Sequence, residues 1–206
     1  TTVTEADLAA AVTDERGVKY SPDGKRLLKA PEELLGNYAI KPDTKVICDE
    51  AFKGCRLLSK IAIPAGVTNI GDGAFCWCSS LKDINIPVGV KYIGKHAFCL
   101  CESLETINIP NIVIVIGRSA FFGCSSLKGV VIPDGVTEIC SRAFGKCKSL
   151  TSISIPDSVT NIGTCVFMDC SSLTSIAIPR SVTYIAKMDF KGCSSLSNIV
   201  IPDSVT

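Results

Sequence analysis

The sequence has few aromatic residues, one histidine and no excess of either charge. Phe, Trp and Tyr together make up 6% of the 206 residues, although 47% of the chain is hydrophobic. The core must therefore be built mainly from Ile, Val and Leu. Because 21 basic residues balance 20 acidic ones and neither sign forms a long run, the net charge is +1. Nucleic acids and anionic membranes attract clustered Lys or Arg, so we predict no nucleic-acid partner.

Long apolar runs are also missing. The longest one, residues 112–116, has the length of a strand and falls far short of the ~18–20 residues of a membrane span, so we predict no membrane insertion. The first residues, TTVTEADLAA, have neither the pattern of a signal peptide nor an initiator Met. We therefore expect a trimmed or processed piece of a longer chain, which leaves the compartment open.

What the chain does have is a unit of 23 residues that recurs without insertion or deletion. Each copy ends in a cysteine, and these cysteines are Cys55, Cys78, Cys101, Cys124, Cys147, Cys170 and Cys193. In the second full copy the constant residues are Leu81, Ile84, Ile86, Pro87, Val90, Ile93, Gly94, Ala97, Phe98 and Cys101. The alternating aliphatic residues predict a short strand that the proline ends, and a second short extended segment follows before the glycine corner.

Units of about 20–29 residues with this pattern indicate a leucine-rich-repeat solenoid, in which each coil buries its apolar side chains against its neighbours. We predict a β-rich solenoid of the α/β repeat type, right-handed, with 23-residue coils, parallel strands and short helical or irregular turns. It spans residues 35–206, with a degenerate first repeat that begins at Leu35, six full repeats and a truncated last repeat.

Residues 1–34 do not match the repeat and are predicted to form an N-terminal cap, because an atypical unit must cover the first coil. Thr4 and Asp7 form a capping-box-like pattern, which predicts a short helix. The turn sequence Ser-Pro-Asp-Gly at 21–24 predicts a β-hairpin. The chain stops at Thr206 in the middle of a unit. We expect either that the natural chain continues or that the molecule self-associates through this uncapped end.

The unit S-L-x-x-I-x-I-P-x-x-V-x-x-I-G-x-x-A-F-x-x-C resembles the BspA-like, treponemal-type leucine-rich repeat over about residues 35–206. Residues 17–31 are similar to the leader that often precedes such arrays. The resemblance implies a solenoid without catalytic residues. It also implies a protein partner and a cell-surface or secreted location, since this family is associated with bacterial and protist surface proteins implicated in adhesion.

The residues themselves give little support for catalysis or for a cofactor. His96 occupies a variable position of the repeat and has no second histidine with which to act. A nucleophile–base pair would have to be assembled around this one side chain. No phosphate-binding loop, zinc-protease motif or EF-hand pattern is present either. We predict no catalytic residue, no cofactor and no enzymatic activity.

The twelve cysteines predict a packed ladder rather than a disulfide framework. Seven of them occupy one equivalent position, and an odd set cannot pair off completely, so we interpret them as small, buried, reduced thiols. Cys76 and Cys99 are equivalent residues of adjacent coils and leave two alternatives open. Together with Cys78 and Cys101 they could bind zinc, or they could form a disulfide across one rung.

Departures from the repeat concentrate in residues 76–122 and mark a candidate partner-binding surface. Trp77 and Leu100 occupy a corner position at which other copies have Gly, Lys or Asp. The further candidates are Phe122, Tyr92, Ile112 and Val115. Unusual exposed apolar surface can mark a protein contact site, and repacking of these residues into the core is the alternative.

One departure lies outside this region. Asp189 replaces the repeat alanine at an inward position, where a carboxylate is costly unless it is hydrogen-bonded. Either the corner opens there or the carboxylate finds backbone donors.

These observations predict a non-catalytic protein-binding solenoid, and the resemblance adds cell-surface adhesion or host interaction as its role. An intracellular scaffold with a reduced cysteine ladder is the first alternative. A thiol-based metal-binding or redox-responsive protein is the second.

Overall fold

A computed structural model describes all 206 residues, and nearly every regular element in it is a short strand. The one helix, α1, spans Glu5–Ala9. The strands are β1 Val12–Thr13, β2 Lys19–Tyr20, β3 Arg26–Lys29, β4 Gly36–Ala39, β5 Val46–Ile47, β6 Leu58–Ala62, β7 Asn69–Ile70, β8 Asp83–Asn85, β9 Tyr92–Ile93, β10 Thr106–Asn108, β11 Val115–Ile116, β12 Gly129–Val131, β13 Glu138–Ile139, β14 Ser152–Ser154, β15 Asn161–Ile162, β16 Ser175–Ala177 and β17 Asn198–Val200.

The strands form two walls of sheet that are parallel throughout the coils and antiparallel only among β1, β2 and β3. One wall is nine-stranded, in the order β1-β2-β3-β5-β7-β9-β11-β13-β15. The other consists of shorter sheets, β4-β6, β8-β10 and β12-β14-β16-β17. Neighbouring strands of successive coils pair one repeat length apart, as Ile70 does with Ile93 and Ile84 with Ile107. The predicted β-rich solenoid of parallel strands is confirmed, and its turns are irregular.

Stacked identical side chains fill the space between the walls. The phenylalanine ladder consists of Phe52, Phe75, Phe98, Phe121, Phe144, Phe167 and Phe190. Its ring centroids lie 5.1 to 6.2 Å apart and its planes stay within 10° of parallel. Each aromatic ring therefore contacts the same ring of the next coil, and burial of this apolar surface holds the coils together.

The repeat cysteines form a second ladder beside the rings. Cys78 donates its S–H to the Phe52 carbonyl at 3.1 Å, and Cys101 donates to Phe75 at 3.2 Å, so each thiol links two coils. All twelve cysteines are free, and six of the seven repeat cysteines are fully buried. Burial raises the pKa of these thiols, as at Cys101 and Cys124. The predicted ladder of packed cysteines is thus present, buried at every coil except the last, where Cys193 is partly exposed.

Two positions of every coil have a left-handed backbone, with φ between +53° and +80°. The first series is Glu50, Gly73, His96, Ser119, Arg142, Cys165 and Met188, and the second is Gly54, Trp77, Leu100, Gly123, Lys146, Asp169 and Gly192. Only glycine adopts this conformation without a steric cost at Cβ. A non-glycine residue at these corners therefore adopts a backbone conformation that its Cβ atom disfavours.

The N-terminal segment joins the nine-stranded sheet. Thr4 caps α1 and exchanges hydrogen bonds with Asp7, which is the capping box expected from the sequence. β2 and β3 form the expected antiparallel hairpin, and β3 then pairs in parallel with β5 of the first coil. On the buried side of these strands the Tyr20 and Tyr38 hydroxyls lie 2.6 Å apart, and the Tyr38 hydroxyl donates to Asp14 Oδ2 at 2.6 Å.

The start of the first repeat differs from the prediction. By spacing, Leu35 is the equivalent of the buried Leu58, but Leu35 is 62% exposed and Leu34 is buried instead. The Leu34 N–H donates to the Pro31 carbonyl as that of Leu58 does to Cys55, so Leu34 takes the inward place. The pairing of β4 with β6 then shifts register just after Gly36. A one-residue shift in register turns the neighbouring side chain outward, which explains why alignment by spacing chose the wrong leucine.

The nine-stranded sheet stops at β15 although the repeat continues for another coil. In most earlier coils, with Gly94 as the exception, the residue after the strand donates its N–H to the preceding coil, as Gly163 does to the Ile139 carbonyl at 2.8 Å. The N–H of Ala186, at the equivalent position, donates to Asp189 Oδ2 at 2.9 Å. The Asp189 carboxylate thus accepts a hydrogen bond from an N–H that would otherwise be available to extend the sheet.

Asp189 is 2% exposed, and its other oxygen accepts a hydrogen bond from the Val166 N–H at 3.1 Å. Of the two alternatives left by the sequence, the carboxylate thus finds backbone donors. Burial raises the pKa of Asp189, and the hydrogen bonds from Val166 and Ala186 offset part of that rise.

Candidate binding surface

Trp77 and Leu100 lie on adjacent coils at the second left-handed corner, with φ of +68° and +59°. The Trp77 N–H donates to the Cys99 carbonyl at 2.8 Å, and the Leu100 N–H donates to the Phe122 carbonyl at 2.7 Å. These bonds place Trp77, Leu100 and Phe122 along one edge, which we call the apolar corner. Trp77 is 41% exposed, and the other two side chains are half-buried.

Two cationic side chains and one glycine contact the side chains of the apolar corner. The Arg56 guanidinium lies 5.2 Å from the centre of the Trp77 ring, and the Lys146 ammonium lies 5.5 Å from that of Phe122. Leu100 covers Gly123 so closely that a Cβ added to that glycine would lie 2.7 Å from Leu100 Cδ2. Cation–π contacts of this kind contribute roughly 0.5–1 kcal/mol at exposed sites. The result is an ordered apolar surface with a cation at each end.

The other candidates lie on a different part of the coil. Tyr92 and Val115 belong to β9 and β11 and are directly paired. Tyr92 is exposed, Val115 is half-buried, and Ile112 is exposed in the turn before β11. The structure therefore groups Trp77, Leu100 and Phe122 at one corner and Tyr92 and Val115 on the outer face of the nine-stranded sheet.

A cavity of about 480 Å³ opens beside Trp77. Its walls include the side chains of Lys53, Lys95 and His96, and Cys76 and Cys99 are also part of its lining. The sequence pairs Cys76 with Cys99 but gives no sign that one cavity joins them to Trp77 and His96. The four residues belong to two coils, and only the stacking of these coils brings them together.

Acidic side chains complete the rim of this cavity and are tied to the backbone. Asp49 Oδ1 accepts from the Asp72 N–H at 2.9 Å, and Asp72 Oδ1 accepts from the Lys95 N–H at 2.8 Å. Burial raises the pKa of Asp49, but hydrogen bonds from Thr1, Thr2 and Asp72 outweigh it and hold that pKa below its usual value. These carboxylates therefore act as fixed acceptors that connect the coils.

The cavity lacks the arrangement that catalysis by histidine requires. The His96 side chain makes no hydrogen bond to a nucleophile or a carboxylate, and its backbone is left-handed with φ of +56°. No group of three or more His, Cys, Asp or Glu side chains is arranged to hold a metal ion. The chemistry that remains at this place is that of the two thiols.

Cys76 differs from the repeat cysteines in the direction of its pKa shift. The neighbouring Cys99 thiol lowers the pKa of the Cys76 thiol, and the nearby Lys53 charge acts in the same direction against burial. The Cys76 neighbour and burial raise the pKa of Cys99. Of the two thiols, Cys76 is therefore the more readily deprotonated.

The parallel coils, the stacked ladders and the recurring 23-residue unit define a leucine-rich-repeat solenoid. The chain belongs to the BspA type leucine-rich-repeat family, whose family model matches six copies over residues 45–173 and 91–206. Solenoids of this class are generally non-enzymatic binding scaffolds. No helix of the structure has both the length and the apolar character required to cross a membrane.

Solved structures with the same fold include two that share substantial identity. A leucine-rich repeat protein from Bacteroides ovatus is 36% identical with a TM-score of 0.82, and the match covers 94% of this chain and 51% of that one. One from Eubacterium ventriosum is 30% identical with a TM-score of 0.85, covering 96% and 52%. The T. pallidum leucine-rich repeat protein is 26% identical with a TM-score of 0.66, covering 89% and 78%.

The chain thus spans about half the length of the first two of these proteins. No curated protein sequence matches it.

Proposed function

We propose that this chain is a non-catalytic protein-binding module whose contact surface is the apolar corner, and that it serves in adhesion at a cell surface. The observation that carries the first part is the left-handed backbone of Trp77 and Leu100. The equivalent corner is glycine in three other coils, at Gly54, Gly123 and Gly192. A non-glycine residue there costs roughly 1–2 kcal/mol.

A large apolar side chain is thus kept, partly exposed, at two positions where the fold favours glycine. Lys146 and Asp169 share this left-handed backbone, so the strain supports a functional role only together with the large apolar side chains of Trp77 and Leu100. Trp is also among the residues that dominate the energetics of protein interfaces, and the cations of Arg56 and Lys146 at the ends of the corner suit a partner surface with acidic groups around an apolar centre. The adhesive role follows from the association of the BspA-like family with surface proteins.

The double variant Trp77→Gly/Leu100→Gly tests this proposal with little risk to the fold, because glycine suits the left-handed backbone at both positions. Immobilised extracellular-matrix and cell-surface proteins would be probed with the full chain and with the variant. We expect a specific interaction of the wild type that the double variant weakens at least tenfold.

Asp169→Gly is the matched control, since it changes the same corner position in another coil without removing apolar surface or a cation of the apolar corner. This control should bind like the wild type. If it lost binding equally, the apolar corner would not be the contact surface. If the wild type bound none of the proteins, the adhesive role would be wrong.

A further inference from the structure

Cys76 and Cys99 are set apart from the other cysteines by their place in the coil. The equivalent residue is Lys53 in the coil before and Phe122 in the coil after, so this position faces the outer corner rather than the core. The two thiols line the cavity beside Trp77 and are 8% and 7% exposed, whereas Cys78 and Cys101, two residues further on, are fully buried. A small molecule can therefore reach the first pair and not the second.

The backbone holds the two residues in equivalent positions. Consecutive coils are bonded through the Gly54 N–H to the Cys76 carbonyl and through the Trp77 N–H to the Cys99 carbonyl, both at 2.8 Å. Hydrogen-bonded neighbouring strands lie about 4.8 Å apart, which falls within the roughly 4.4–6.8 Å between Cα atoms of disulfides. The rings of Phe75 and Phe98, the residues just before the two cysteines, are stacked with centroids 5.4 Å apart, so side chains at equivalent positions of these two coils stay in register.

We propose that Cys76 and Cys99 form a two-thiol centre that reacts with small hydroperoxides and closes to a disulfide. The Cys76 thiolate attacks one oxygen of hydrogen peroxide, which breaks the O–O bond and gives a sulfenic acid at Cys76 and, after proton uptake, one water. The Cys99 sulfur then attacks the Cys76 sulfur and expels a second water. Two thiols are oxidised, one peroxide is reduced and the products are one disulfide and two waters.

The division of roles follows from the environment of each sulfur. Thiolate character and access decide which cysteine an oxidant attacks. Both sulfurs line the cavity, and the nearby Lys53 ammonium favours the thiolate at Cys76. Cys99 remains protonated until Cys76 is oxidised and then acts as the resolving thiol. The disulfide would tie together the coils of Trp77 and Leu100, the residues that follow each cysteine, although the proposal does not depend on what the apolar corner binds.

The test uses the full wild-type chain and needs no variant for its main result. The reduced protein would be treated with a small molar excess of hydrogen peroxide and its remaining thiols alkylated, and the digest analysed by mass spectrometry. We expect a peptide pair linked through Cys76 and Cys99, and a fall in free thiols from the twelve of the reduced chain to ten. A Cys76–Cys99 link that is absent, or no more abundant than links among other cysteines, would overturn the proposal.

Two variants separate the roles of the sulfurs. Cys99→Ser should accumulate a sulfenic acid at Cys76 that dimedone traps, because the resolving thiol is missing. Cys76→Ser should slow the oxidation of Cys99 at least tenfold. Cys140 is the internal control, since it is also partly exposed and burial raises its pKa to about 11. Oxidation of Cys140 as fast as Cys76 would show that exposure alone governs reactivity and would contradict the proposal.

Discussion

The Oδ2 atom of Asp189 lies 2.9 Å from the backbone nitrogen of Ala186 and accepts its hydrogen bond. Most earlier coils use the equivalent N–H to bond the preceding coil, and the nine-stranded sheet ends at β15, one coil before Ala186. The side chain that breaks the repeat chemically therefore lies where the regular hydrogen bonding of this sheet stops.

Asp189→Ala restores the repeat residue and should free the Ala186 N–H to bond the Ile162 carbonyl. We expect the free energy of unfolding to rise by about 1–2 kcal/mol near neutral pH, since a sheet hydrogen bond is gained and a buried carboxylate is removed. Urea titration of both proteins measures the change. An unchanged or lower stability would show that the two backbone bonds of Asp189 compensate fully for its burial.

The gain should depend on pH. Burial raises the pKa of Asp189 in the folded state, so its protonated form stabilises the fold. The contribution of Asp189 is fully present below the unfolded pKa of about 3.9 and is lost as the pH rises through the higher folded pKa. The advantage of Asp189→Ala should therefore be smaller near about pH 4 than near about pH 7. An advantage that is independent of pH would contradict this assignment.

The phenylalanine ladder should account for much of the cohesion between coils. Phe98 is fully buried between Phe75 and Phe121, with centroid distances of 5.4 and 5.5 Å. Phe98→Ala should lower the free energy of unfolding by about 3–5 kcal/mol, because a cavity forms and two ring contacts are lost. Phe122→Ala, at the half-buried corner one residue outside the ladder, should cost clearly less. Equal losses of unfolding free energy for the two variants in chemical denaturation would show that the phenylalanine ladder is not the main source of cohesion between coils.

The left-handed corners give a prediction with an internal control. Arg142 has φ of +60°, whereas Arg118, also exposed, has an ordinary backbone conformation. Both substitutions to glycine remove the same side chain and add the same freedom to the unfolded chain. Arg142→Gly also relieves the left-handed strain, so it should be more stable than Arg118→Gly by about 1–2 kcal/mol. Thermal and urea unfolding would measure the difference, and a value near zero would mean that these corners carry no strain.

The hydroxyl chain beneath the N-terminal strands should contribute to stability through Tyr38. This buried hydroxyl contacts both Tyr20 and the Asp14 carboxylate, and burial together with the Asp14 hydrogen bond raises the pKa of Tyr38. Tyr38→Phe should cost about 1–3 kcal/mol, because it leaves neighbouring polar groups without a partner. Tyr92→Phe, which changes an exposed tyrosine, should be close to neutral. The prediction would be wrong if urea unfolding gave the two variants the same stability.

Much of the architecture follows from spacing alone. Identical residues at a constant interval must stack when each coil buries its side chains against the next, which predicts the Phe and Cys ladders and the parallel strands. The apolar corner was also found from the sequence, because Trp77 and Leu100 depart from glycine. The same reasoning chose Leu35 over Leu34, since counting residues cannot detect a shift in register.

The sequence by itself thus determined the coil, its ladders and the residues that break the pattern. Only the tertiary structure decided where those exceptions lie and what they contact. The left-handed backbone of Trp77 is a property of its corner, and Asp189 meets the Ala186 N–H three residues away. The reactivity proposed for Cys76 depends on a thiol and an ammonium from neighbouring coils. These are distances in space and backbone angles, and residue type or spacing alone encodes neither.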